Sequence, residues 1–342
     1  MGRPTIADIA AAAGVSKSAV SFALNGRPGV SDETRAAVLK IAEELDWMPH
    51  SAARALSGSR SHSIGLALAR PARTLGVEPF FTQLLSGIQA KLSERSIALQ
   101  LLIVEDAEAE IATYRRWAGE HRVDGLVLVD PQTRDRRIAA VEALSVPAVV
   151  VGGNGRSGTL ASVWADDRAA MLSIVDYLVA LGHKRLAHVS GMPGLQHTRR
   201  RAKALKDTVA SHKLLSADSL STDFSDAEGA AATRRLLSGR ARPSAIVYDN
   251  DVMAVAGLGV ATEMGVTVPG ELSIVSFEDS RLTQLTHPAI TSLSRDTYAF
   301  GEKVAETLLA VIDDPAAAVG HKMPTPSLTV RESTARPLDN NS

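Results

Sequence analysis

The chain contains no cysteine. Disulfides, Cys-ligated zinc, iron–sulfur clusters and a thiol nucleophile are therefore excluded. Aromatic residues fill only 4% of the 342 positions, so each one bears on packing or binding. No run of about 18 apolar residues occurs, which predicts no membrane span. The opening Met1-Gly2-Arg3-Pro4-Thr5 lacks an apolar signal core, which predicts a cytoplasmic protein. Neither sign of charge is in excess: 37 Lys and Arg face 38 Asp and Glu. Over the whole chain, that is not the balance of a polybasic nucleic-acid binder. With 45% hydrophobic and 22% charged residues, the composition is globular rather than disordered. The length allows two or three domains at roughly 100–200 residues each.

The first sixty residues read as short helices and tight turns, with no strand. Thr5 suits the cap of a helix over Ile6–Ala13, with Ile6, Ile9 and Ala10 on one face. Gly14-Val15 stops it. Ser16 caps a second helix, Lys17–Leu24, which Asn25-Gly26 ends. Ser31 caps a third, with Asp32 and Glu33 in the first turn, where acids suit the helix dipole. Helix, glycine turn, short capped helix and supporting helix form the arrangement that lays one helix in a major groove. A small helical cap on a larger core is the plainer alternative. Residues 1–60 hold seven basic and six acidic side chains, a weak excess. Arg3, Lys17, Arg27, Arg54 and Arg60, however, sit in loops, caps and the connector, where phosphates are met.

After residue 63, apolar runs of strand length alternate with longer amphipathic stretches. Strands are predicted at Ile64–Ala69, Leu99–Val104, Gly125–Val129, Ala148–Val151, Arg185–Val189, Ala245–Tyr248 and Ser273–Phe277. The helices between them are Phe80–Arg95, Ala109–His121, Arg136–Leu144, Ala169–Leu181, Arg199–His212, Ala227–Leu237 and Val252–Met264, and Tyr298–Ile312 is the last. Such alternation predicts an α/β core of two doubly wound lobes with parallel sheets. Ligands of such folds sit at the carboxyl ends of the strands, here in the cleft between the lobes.

Gly153-Asn-Gly155-Arg-Ser-Gly158 matches the spacing of a dinucleotide fingerprint. That fingerprint needs a helix to follow and hold the pyrophosphate, whereas Thr159–Trp164 reads extended, so no dinucleotide site is expected. His183 and His188 have no carboxylate at ligand spacing and read as surface or capping residues, with no metal. No nucleophile elbow, P-loop or paired-carboxylate signature is present. No enzyme activity and no cofactor are expected.

The N-terminal residues carry a specific resemblance. Thr5-Ile-Ala-Asp-Ile-Ala-Ala-Ala-Ala-Gly-Val-Ser16, Ala19-Val-Ser21, Leu24-Asn-Gly26, Val30-Ser31, Thr34-Arg35, Pro49 and Ala53-Arg-Ala-Leu56 resemble the LacI/GalR family of bacterial transcriptional repressors. The likeness continues in order and spacing through Ile64-Gly65, Pro79-Phe-Phe81, Val123-Asp-Gly125, Leu181-Gly-His183, Asn250-Asp251, Val268-Pro269 and Arg331-Glu-Ser-Thr334.

The resemblance implies a helix–turn–helix head over residues 1–48 and a hinge helix and linker over 49–62. It implies a two-lobed, periplasmic-binding-protein-like core, with one lobe from 63–160 and 292–326 and the other from 161–291 and 327–342. It implies a homodimer on a palindromic double-stranded operator, controlled by a small-molecule effector, a sugar. The DNA surface falls on Thr5, Ser16, Lys17, Ser18, Ser21, Phe22, Asn25 and Ser31. His50, Ala53 and Leu56 join it from the hinge, where Leu56 wedges into a minor-groove step. The effector site falls on Phe80, Asp166, Arg201, Phe224, Asn250, Asp251, Glu278 and Arg295.

Several positions depart from the family pattern. Phe22 stands where Arg is common, and a Phe cannot make Arg's bidentate bonds to guanine. His50 replaces Asn. Glu278 replaces Asp, Arg295 brings an extra cation, and Ala204-Leu205 replaces a Gly-aromatic pair. A nucleobase or anionic metabolite therefore stays open as the effector. A cytoplasmic sugar-binding protein and an enzyme using the cleft are the competing classes. No apolar heptad tail follows Thr334, so a tetramer-forming coil is not expected.

Overall fold

The computed structural model describes residues 4–47 and 60–338. The chain divides into two units, Met1–Ser61 and His62–Ser342. His50, Ala53 and Leu56, and with them the expected hinge helix, lie outside the described residues.

The small unit holds α1 (Ile6–Ala13), α2 (Lys17–Leu24) and α3 (Asp32–Glu44). Thr5 and Asp8 cap α1 reciprocally, the Asp8 carboxylate accepting from the Thr5 backbone N–H at 2.7 Å. Ser16 accepts from the Ala19 N–H at 3.1 Å and Ser31 from the Thr34 N–H at 3.2 Å. Gly14 takes φ +64°, a left-handed geometry that glycine adopts without steric cost. The chain thereby turns 103° between α1 and α2, within the range of about 90–120° for a helix–turn–helix. Ile9, Val20 and Val38 are wholly buried where the three helices meet.

The large unit begins β1 (Ser63–Leu68), α4 (Ala72–Val77), α5 (Pro79–Ser93), β2 (Ala98–Ile103), α6 (Ala107–Gly119), β3 (Gly125–Leu128), α7 (Arg136–Leu144), β4 (Ala148–Val151) and β5 (Ala161–Trp164). It continues α8 (Asp167–Leu181), β6 (Arg185–Ser190), α9 (Gln196–Ser211), β7 (Ser216–Ser221), α10 (Asp226–Leu237), β8 (Ala245–Tyr248), α11 (Asp251–Glu263) and β9 (Ser273–Ser276). It closes with α12 (Arg281–Leu285), β10 (Thr291–Ser294), α13 (Thr297–Asp313), β11 (Gly320–Lys322) and β12 (Ser327–Thr329). One sheet orders β11-β5-β4-β3-β1-β2 and the other β12-β10-β9-β8-β6-β7. Pairing is parallel except between β10 and β12. Strands β1, β3, β4, β8 and β9 are buried along their whole length, as parallel strands between two helical layers must be.

The chain passes between the sheets after β5, β10 and β11. Two expected lobe limits therefore move. Ala161–Trp164 belongs to the first sheet, because it pairs with β4. Thr291–Ser294 belongs to the second, where Thr291 and Ser292 pair with β9. The Gly153–Gly158 stretch leads into strand β5, not a helix.

In the first lobe, α5 and α13 touch backbone to backbone. An added Cβ would lie 2.3 Å from the Leu84 carbonyl at Gly301, and 2.0 Å from the Tyr298 carbonyl at Gly87. Gly301→Ala must therefore part the helices. The expected cost is about 1–3 kcal/mol, the scale of core overpacking, read as an earlier midpoint in urea unfolding. A midpoint unchanged from wild type would show that the contact yields freely.

Candidate functional site

A cavity lies between the two lobes of the large unit, about 770 Å³ counting its open mouth. Its polar walls come from residues just past strand ends. Arg70 follows β1, Asp130 follows β3, Asp249 and Asn250 follow β8, Glu278 follows β9 and Arg295 follows β10. The start of α5 adds Phe80 and Phe81, and α9 adds His197 and Arg201.

Seven of the eight residues expected at the effector site line this cavity: Phe80, Arg201, Phe224, Asn250, Asp251, Glu278 and Arg295. Asp166 does not. It caps α8 by accepting from the Ala169 N–H at 3.2 Å, and it pairs outward with Arg200 at 3.2 Å and Lys322 at 3.4 Å. Asp167, the first residue of the helix, faces the cavity instead.

Each cleft arginine already has a carboxylate. Arg201 is buried, donates Nε and Nη2 to Asp167 at 3.1 and 2.9 Å, and donates Nη1 to Asp249 at 3.1 Å. Its guanidinium lies 3.6 Å from the centre of the Phe277 ring. Arg295 pairs with Glu278 and lies 4.8 Å over Phe80, so the extra cation foreseen there is neutralised within the chain. Arg70 donates Nε to Asp130 at 2.8 Å and lies 4.3 Å from the centre of the Phe224 ring. Phe224 itself sits at φ +72°, a left-handed backbone uncommon for an aromatic residue. Asn250 joins the lobes: its Nδ2 donates to Glu78 at 3.0 Å and to the Phe224 carbonyl at 3.0 Å.

The acids divide into two groups. Burial works against ionising Asp249, yet His188 and Arg201 hold its carboxyl well below the usual range. Burial likewise opposes Asp130, but Arg70, His197 and Arg137 together outweigh it and hold the carboxyl below its usual range. Burial wins at Glu78, pushed up to about 7 against the pull of Arg70, and it also raises Glu278 and Asp251. Burial lowers His197, favouring the neutral ring.

His183 and His188, expected at the surface or as caps, are buried. His188 lies on β6, between β8 and the edge strand β7 of the second sheet, and reaches Asp249 at 2.9 Å. His183 contacts Ser244 Oγ at 2.8 Å and the Ala335 carbonyl at 3.0 Å. Arg70, Glu78, Asp130, Asp167, His197 and Asp249 were not singled out from the sequence. The signal for Arg70, Asp130 and Asp249 was their place just beyond a predicted strand.

In the small unit, Thr5, Ser16, Lys17, Ser18, Asn25 and Ser31 are exposed and Ser21 is half-buried. Ser18, Ser21, Phe22 and Asn25 share one face of α2 and its end. Phe22 is 38% exposed, with its ring against the Gly29 backbone. Arg35 on α3 secures that end, donating to the Ala23 carbonyl at 3.1 Å and the Arg27 carbonyl at 2.8 Å.

A helix–turn–helix unit together with a cleft-bearing, two-lobed α/β unit defines a DNA-binding regulator. Residues 5–50 match the profile of bacterial regulatory proteins of the lacI family, and residues 175–334 match that of the periplasmic binding protein-like domain. The transcriptional regulator MalR of Streptomyces coelicolor is 32% identical over 341 residues, covering 96% of each chain. The lac repressor dimer, solved bound to operator and an anti-inducer, is 25% identical with a TM-score of 0.83, covering 98% of this chain and all of that one. The regulator CelR, solved with cellobiose, is 26% identical with a TM-score of 0.72, covering 97% of this chain and all of that one. The chain belongs to the LacI family of bacterial transcriptional regulators and is a repressor of that family, not an enzyme. Among the described residues, no single helix is long and apolar enough to cross a membrane.

Proposed function

We propose that the protein is a homodimeric repressor whose hold on a palindromic operator is set by a neutral, sugar-like effector in the interlobe cleft. The observation that carries the reading is the charge bookkeeping of the cleft. All three lining arginines are paired internally, and Glu78 and Asp251 are further acids. Burying a phosphate or carboxylate ligand there would require a cation that is not already engaged. A neutral polyol needs only donors, acceptors and apolar faces, which the cleft supplies. The cellobiose seen in CelR supports the same class. Leu101 and Ile103 on edge strand β2, and Leu282 and Leu285 on α12, are exposed apolar side chains that a second copy of the chain would cover.

Calorimetry separates the readings. The set is D-glucose, D-galactose, D-ribose, maltose, cellobiose, a sugar phosphate, a hexuronate and hypoxanthine. Binding is expected for a neutral sugar and not for the charged compounds. Tight binding of the phosphate or the hexuronate would overturn the neutral reading, and binding of hypoxanthine alone would replace the sugar. Selection from random DNA is expected to return a two-fold site whose half-site differs from the usual family one, because Phe22 cannot donate to guanine. Light scattering should show a dimer.

A further inference from the structure

Three of the buried side-chain atoms without a partner belong to cleft-lining residues: Arg70 Nη1, Arg295 Nε and Asp251 Oδ2. Native structures pair such atoms with protein, water or ligand. Two are donors and one is an acceptor. Arg70 stands on the first lobe and Asp251 on the second, so one molecule meeting both would bridge the cleft.

Arg70 is fixed from behind. Its Nε is held by Asp130, whose own carbonyl accepts from Arg137 Nη2 at 2.8 Å. Arg137 also pairs with buried Glu110, and Glu110 accepts from the Ala69 N–H at 2.8 Å. Both the residue before Arg70 and the partner of Arg70 are thus tied to one buried ion pair. The guanidinium has little freedom, and a donor preorganised in this way binds without first being ordered.

Its position changes how the cleft reads a ligand. Phe224 is among the residues expected at the effector site, and a phenyl ring in a sugar site can offer a stacking face. Here the Arg70 guanidinium lies over that ring at 4.3 Å, and Phe224 is only 4% exposed. Gly191 lies against the ring too, where an added Cβ would come 1.8 Å from Cζ.

We propose that Arg70 is a specificity-determining residue that contacts the effector directly, with Phe224 serving as the platform for its guanidinium. Arg70 Nη1 donates to a sugar oxygen from the first lobe, and Asp251 Oδ2 accepts from a hydroxyl on the second. Selectivity then follows hydrogen-bond pattern more than ring stacking, and a ligand that satisfies both atoms favours the closed relation of the lobes. The inference rests on the neutral-sugar reading above.

The test uses the full-length protein and whichever sugar of the calorimetric set binds best. Arg70→Met keeps the stem and removes the donors, and is expected to weaken that sugar at least tenfold. Phe224→Leu is expected to weaken it less than threefold. Arg70→Lys, a charged donor without the fork, should fall between wild type and Arg70→Met. Arg70→Met binding as tightly as wild type, or Phe224→Leu costing more than Arg70→Met, would overturn the assignment. A crystal structure grown without added sugar is the second measurement, and it serves if a variant does not fold. It should show Arg70 over Phe224 with an ordered oxygen at Nη1, and an Arg70 turned out of the cleft would sink the proposal. Absence of any sugar heat with Arg70 in place would remove the sugar reading and leave the position of Arg70 standing.

Discussion

Asp249→Ala is expected to lower stability by about 3–5 kcal/mol, the cost of removing one partner from a buried charged pair. The carboxylate is wholly inside the second lobe. It reaches His188 Nε2 at 2.9 Å and accepts from Arg201 Nη1 at 3.1 Å and from the Gly191 N–H at 2.8 Å. Truncation leaves the Arg201 guanidinium with Asp167 as its one carboxylate, the Gly191 N–H without its acceptor, and a cavity beneath Gly191. Asp249→Asn should be nearly as damaging, because an amide cannot accept from all three partners while turning its own N–H groups away from them. Gly191 lies against Phe224, so the loss should also disorder the platform for Arg70 and abolish sugar binding. Urea unfolding followed by circular dichroism measures the first effect and calorimetry the second. A stability loss under 1 kcal/mol would show that the network is not a structural hub.

The architecture was legible because the core strands announce themselves. Ile64–Ala69, Ala148–Val151 and Ala245–Tyr248 are apolar runs with turn residues or helical patterns on either side, and each forms a strand within a residue or so of its expected limits. Strand β7 was missed. Its sequence Ser216-Ala-Asp-Ser-Leu-Ser221 is polar and partly exposed, since it is an edge strand held by pairing with β6. Pairing is not visible in composition. The same holds for β11 and β12, three residues each.

At the site, seven of the eight expected residues line one cavity, while the partners that set their chemistry lie outside the sequence motifs. Arg201 was foreseen as a ligand donor, but its engagement with Asp167 and Asp249 depends on two other elements meeting. Asp166 and Asp167 are neighbours with opposite fates, because the cap residue and the first helical residue project in different directions. Arg70 and Glu78 sit on a segment where the sequence pattern is quiet, and only the packing of two lobes shows what they touch.

Glu78→Gln should raise stability at pH 8 and leave it unchanged below about pH 4. The Glu78 carboxyl is buried, and burial carries it from an ordinary 4.5 to about 7. The native state therefore keeps a proton that the unfolded chain releases as pH rises past 4.5. Stability contributed by the protonated group is full below that value, declines between pH 4.5 and 7, and stays reduced above. The difference corresponds to roughly 3 kcal/mol at pH 8. Glutamine keeps the oxygen that Asn250 Nδ2 meets at 3.0 Å and never carries the charge. Asp251 and Glu278 are raised by burial as well, so the wild-type slope has other sources, and the difference between variant and wild type isolates Glu78. Melting curves at half-unit steps from pH 4 to 8 should diverge up to about pH 7 and keep a constant separation above it. Parallel curves would mean that Glu78 titrates like a carboxyl in water, open to solvent through the cleft mouth. Because this hydrogen bond joins the lobes, the expected divergence has a functional counterpart. Sugar affinity of the wild type should change across the same pH window, and that change should shrink in Glu78→Gln.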